Sequence, residues 1–77
     1  MNYVKGNNSM NAVIKRAIEI VGSQSELARR VGTGQPSISK WLKGSEISAR
    51  FIPSIVIATD GKVSAAELLN SISKSKS

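Results

Sequence analysis

Residues 24–43 read QSELARRVGTGQPSISKWLK, two short apolar-periodic segments separated by Gly32-Thr33-Gly34. In the first, Leu27, Ala28 and Val31 stand at i, i+1 and i+4 and share one side of a helix, with Ser25, Glu26 and Arg29 facing away. In the second, Ile38, Trp41 and Leu42 at i, i+3 and i+4 form the inward stripe, opposite Pro36, Ser39, Lys40 and Lys43. Ala28 is small enough to let two helices approach closely where they cross. Gly32 can take the left-handed conformation that ends a helix and turns the chain sharply. These features together predict a helix-turn-helix. A helix laid in a DNA groove needs a face of lysines and small polar groups, which a helix buried in an enzyme core does not.

The rest of the chain is consistent with one small domain. Its 77 residues support a single core near the lower end of what folds without staples, so dimerisation would add stability. With no Cys, neither a disulfide nor a thiolate metal site supplies it. Eleven Lys and Arg against five Asp and Glu leave a net charge of +6, a field that attracts polyanions. No apolar run approaches a membrane span and the polar start is not a secretory signal, so the expected location is the cytoplasm.

Periodicity extends the helices outward from the central pair. Residues 1–9 are polar and aperiodic and read as a flexible arm, with Ser9 placed to cap a first helix over 10–21. Ile14, Ala17, Ile18 and Val21 form the apolar face of that helix, and Gly22 ends it. Ser23 and Glu26 have the spacing of a capping box, which starts the second helix at Gln24. The third starts at Gln35, with Pro36 tolerated in its first turn, and Gly44 closes it. A fourth helix is expected over about 48–59, kinked or starting late at Pro53, although Ile55-Val56-Ile57 keeps a short strand open. A second capping box, Ser64 to Glu67, opens a last helix carrying Leu68, Leu69 and Ile72. The expectation is an all-α bundle of about five short helices, with the helix-turn-helix domain over 10–72 and a disordered tail over 73–77.

The spacing of Leu27, Ala28, Val31, Gly32, Ile38 and Trp41 resembles the helix-turn-helix regulators of temperate bacteriophages, the Cro and repressor class. It also resembles the related small YdaS-like antitoxins of prophages. The likeness extends more loosely over residues 10–70 and implies a lambda-repressor-like fold. It further implies a homodimer, at least on DNA, that represses transcription from a palindromic double-stranded operator in the cytoplasm of a bacterial host, in association with the nucleoid. Carried over position by position, it makes Gln24 a phosphate contact at the start of the second helix, where free backbone N–H groups favour an anion. Gln35, Pro36, Ser39 and Lys40 take the positions that face base edges, and Ser37 and Lys43 meet the phosphate backbone. A Gln can bond adenine N6 and N7 together, and a Lys can donate to guanine O6 and N7. Thr33 and Gly34 depart from the family pattern, which has an aliphatic residue and a capping Ser or Thr there.

Other residues carry less. Trp41 beside Ile38 and Leu42 is expected in the core rather than stacked on a base. Arg29 and Arg30 suit either the helix dipole or a phosphate, Lys15, Arg16 and Arg50 read as solvated surface, and Lys74 and Lys76 as a diffuse attraction to DNA at most. With no His or Cys and with scattered carboxylates, no catalytic, metal or cofactor site is expected. Gly32-Thr33-Gly34 lacks the lysine of a phosphate-binding loop. The alternative reading is an antitoxin or adaptor that acts through protein contacts, and the candidate dimer surfaces are residues 51–57 and 68–72.

Overall fold

Helix α1 (Ala12–Val21) begins where Asn11 Oδ1 accepts from the backbone N–H groups of Val13 and Ile14 at 2.9 and 3.0 Å. Asn11 therefore caps the helix two residues beyond the expected Ser9, which lies outside the residues described. It also fixes the start of the helix to the rest of the bundle: its backbone N–H donates to Leu42 O at 2.8 Å and its amide to Ser71 Oγ at 3.2 Å. The structure is a computed structural model that describes residues 11–74, with side chains through Ser71. The expected arm over 1–9 and the end of the expected tail, with Lys76, fall outside it.

Gly22, at φ 114°, ends α1 and Ser23 caps α2 (Gln24–Val31), accepting from Glu26 N at 3.1 Å. The carboxylate oxygens of Glu26 do not reach back to Ser23 and accept instead from Arg29 and Arg30. Gly32, at φ 90°, then turns the chain into α3 (Gln35–Leu42), as the sequence predicted. Gly34 caps α3 without a side chain to bond, while Thr33 Oγ1 donates to Ser37 Oγ across the turn at 3.0 Å.

The stretch around Pro53 resolves into two pieces. A 3-10 turn over Ala49–Phe51 leads into α4 (Ile52–Ala58), in which Pro53 occupies the first turn, where its missing N–H has no intrahelical partner to lose. The β-branched run is helical because Ile52, Ile55 and Ala58 bury one helical face in the core, a periodicity that a strand would break. Thr59 ends α4, and Ser64 and Glu67 form the full reciprocal capping box of α5 (Ala65–Lys74), with bonds of 3.0 and 3.1 Å. Helix α5 runs through Lys74, into the stretch expected to be tail.

All the regular structure among the described residues is helical, five α-helices and one 3-10 turn. One core unites Ile14 and Ala17 of α1 with Leu27, Ala28 and Val31 of α2, Ile38 and Trp41 of α3, Ile52 and Ile55 of α4 and Leu68 of α5. Trp41 is 5% exposed and its ring centroid lies 5.4 Å from that of Phe51, so its role is packing. Among the described residues, no helix is long and apolar enough to cross a membrane.

Candidate nucleic-acid interface

Helix α3, taken with its C-cap Lys43, divides by face. At about 100° per residue, Gln35, Ser39, Lys43, Pro36 and Lys40 span an arc of roughly 140°, and Trp41, Ile38 and Leu42 fill the opposite side. Burial follows this division: Ile38 and Trp41 are buried, Leu42 is partly buried, and Gln35, Pro36, Lys40 and Lys43 are exposed. Ser37 is not brought to the face. It lies roughly 160° round from Ser39, half-buried, with its hydroxyl accepting from Thr33.

Two side-chain hydrogen bonds cross the turn and join the start of α2 to this face. Ser39 Oγ donates to Gln24 Oε1 at 2.8 Å, and Ser25 Oγ donates to Gln35 Oε1 at 3.1 Å. Gln24 and Ser39, assigned separately from the sequence, are thus brought into direct contact. Ser25 carried no signal in the sequence beyond an outward position. Its place two residues after the capping Ser23, opposite the first residue of α3, emerges only once the two helices are folded together.

Charge is distributed unevenly across the same region. The ion pairs among the described residues take up arginines, with Arg29 and Arg30 sharing Glu26 and Arg16 on Glu67. Hydrogen bonds from Arg29 and Arg30 lower the Glu26 carboxyl to a pKa of about 2. The Arg16 guanidinium and the Ser64 backbone N–H together hold Glu67 at about 2. Arg30 also donates to Ala58 O at 3.2 Å, which links α2 to the end of α4. These contacts give Arg29 and Arg30 an intramolecular role, whereas neither Lys40 nor Lys43 of α3 enters an ion pair among the described residues. Arg50 lies over the Phe51 ring, 4.8 Å from its centroid.

Residues 14–76 match the family described as bacterial toxin YdaS. The chain belongs to this family. It is 41% identical over 59 residues to a protein of Escherichia coli (strain K12) named "Putative transcriptional regulator YdaS". The match takes in 75% of this chain and 60% of that protein, so the chain spans about 60% of the length of the curated relative it matches. No solved structure matches it. The two names differ in role, toxin for the family and transcriptional regulator for the relative, and neither uses the word antitoxin that the resemblance suggested.

The surfaces expected to mediate dimerisation are narrowed by burial. Ile52, Ile55 and Leu68 are core residues and are not available to a second chain. Within those stretches the exposed large apolar side chains among the described residues are Ile57, at 75%, and Leu69, at 51%. The side chain of Ile72 lies outside the description.

Proposed function

We infer that this YdaS-family chain is a sequence-specific double-stranded DNA-binding regulator that inserts α3 into the major groove. The observation that carries this reading is the exposed face of α3, with Gln35, Pro36, Ser39 and Lys40 along it and Lys43 at its end, backed by a buried Ile38 and Trp41. Gln35, Ser39 and Lys40 read base edges, and Pro36 packs against them. Lys43, and Gln24 at the N-terminus of α2, hold phosphates. The relative's name as a transcriptional regulator and the net charge of +6 support the same reading.

The finer form of the proposal is a Cro-type repressor that acts as a homodimer on a palindromic operator and occludes a promoter. Two copies of α3 would enter successive major grooves about 34 Å apart. Ile57 and Leu69 are the apolar side chains that a second copy would cover. The reading gives the chain no catalytic role, in keeping with the absence of His and Cys from the sequence.

A second reading has two observations in its favour: the word toxin in the family's description and the exposure of Ile57 and Leu69. Under it the α4 and α5 surface binds a protein partner and the α3 face is incidental. Footprinting on sites selected from random DNA separates the two. A palindromic consensus with protected half-sites one helical turn apart supports the dimeric regulator, and selection that enriches no motif favours the protein-contact reading.

A further inference from the structure

Helix α4 carries an exposed stripe whose two ends bear opposite charge. Pro53 and Ile57 stand at i and i+4, one above the other on the face turned away from Ile52, Ile55 and Ala58, and both are exposed. The exposed Arg50 precedes Pro53 by three residues, in the 3-10 turn, where residues three apart eclipse. The exposed Asp60 follows Ile57 by three, with its backbone N–H donating to Ile57 O at 3.0 Å. Along this side the order is therefore cation, apolar, apolar, anion. Neither charge is used within the chain: Arg50 and Asp60 enter no ion pair among the described residues, although Lys62 stands two residues from Asp60. Arg50 is held instead over the Phe51 ring, which fixes its guanidinium beside the start of α4.

We propose that this stripe is a self-complementary contact in which α4 of one copy lies antiparallel to α4 of a second copy. About a two-fold axis, residues equally far from the axis on either side face each other across the contact. Arg50 and Asp60 are each five residues from position 55, and Pro53 and Ile57 are each two. One register thus sets Arg50 against Asp60 of the second copy and Pro53 against Ile57 of the second copy, and the symmetry repeats both pairs. A parallel arrangement would set Arg50 against Arg50 and Asp60 against Asp60. The net charge of +6 opposes association of two copies, and the matched pairs at the ends offset that repulsion locally.

The contact rests on the homodimer of the reading above and gives it a surface and a register, in which Ile57 takes part and Leu69 of α5 does not. Two helices of about two turns cover less than the roughly 800 Å² per partner of a standard interface, so association in solution is weak. Binding to neighbouring half-sites would hold the two copies at high effective concentration and complete it.

The test is sedimentation equilibrium of the full chain without DNA, up to about millimolar concentration. The wild type is expected to dimerise as concentration rises. Arg50→Glu and Asp60→Lys each set like charges against one another at both ends and weaken dimerisation by about tenfold or more. Arg50→Glu lowers the net positive charge, which by itself favours association, so its weakening reports the lost pairs. An equimolar mixture of the two variants restores the dimer, because the new carboxylate meets the new ammonium while Arg50 of one chain keeps Asp60 of the other. Asp60 sits at φ 55°, so Asp60→Asn, which tolerates that conformation, checks that charge and not backbone strain causes the loss. Ile57→Ser abolishes the dimer and Leu69→Ser leaves it, with thermal melts close to wild type because both positions are exposed. Single charge variants that dimerise like the wild type, or a mixture that fails to restore the dimer, overturn the register. A dimer lost in Leu69→Ser and kept in Ile57→Ser overturns it too and leaves the homodimer reading standing on α5. A wild type that stays monomeric at millimolar concentration overturns the contact, and the DNA reading still stands or falls on the footprints.

Discussion

Thr59 is the one buried polar residue among those described, and its hydroxyl has a partner on each side. It donates to Ile55 O at 3.0 Å and accepts from Val63 N at 3.2 Å, so a single side chain ends α4 and holds the loop toward α5. Thr59→Val keeps the shape and leaves the buried Val63 N–H without an acceptor. We expect it to cost about 1–3 kcal/mol in urea unfolding, with Thr59→Ser retaining most of that stability. The basic residues separate on the same local grounds. Arg29 and Arg30 are held by Glu26, whereas Lys43 stands at the end of α3 outside any ion pair of the described residues. Lys43→Ala should weaken cognate and random DNA alike and lower the slope of log affinity against log salt by about one unit. A slope equal to that of the wild type removes Lys43 from the phosphate contacts.

The elements were legible in the sequence where a cap or a glycine sets a boundary. Ser23, Gly32 and the Ser64–Glu67 box place α2, the turn and α5 where the spacing predicts, because each acts through bonds within a few residues. The start of α1 was not legible. Ser9 and Asn11 are both capping types, and the bonds that tie Asn11 to Leu42 and Ser71 are long-range. The 3-10 turn before Pro53 and the Ser25–Gln35 bond escaped for the same reason: both depend on how helices pack rather than on local pattern. The two glycines of the turn give a direct test of this view. Gly32 sits at φ 90°, where an L side chain is strained, so Gly32→Ala should destabilise the chain by roughly 1–2 kcal/mol. Gly34 is extended at φ -86°, and Gly34→Ser should instead gain a few tenths of a kcal/mol by supplying the missing cap, read from thermal melts of the two variants.

Across the whole molecule, two surface ion-pair clusters stand out, Glu26 with Arg29 and Arg30 within α2, and Glu67 of α5 with Arg16 of α1. Both carboxyls titrate near 2 in the folded chain against an ordinary 4.5. The stability they contribute is therefore complete above pH 4.5 and is lost as the pH falls toward 2. The melting temperature should hold steady at neutral and mildly acidic pH and decline below 4.5, and Glu67→Gln should flatten part of that decline. The central claim is that the α3 face of this small basic bundle enters the major groove. Dimethyl sulfate protection on a selected site tests it most directly, since guanine N7 lies in the major groove and the reagent's other target, adenine N3, in the minor groove. The account predicts protection of guanine N7 within each half-site, with protection at one guanine lost in Lys40→Ala. Protection confined to adenine N3, or a Lys40→Ala pattern identical to the wild type, would contradict it.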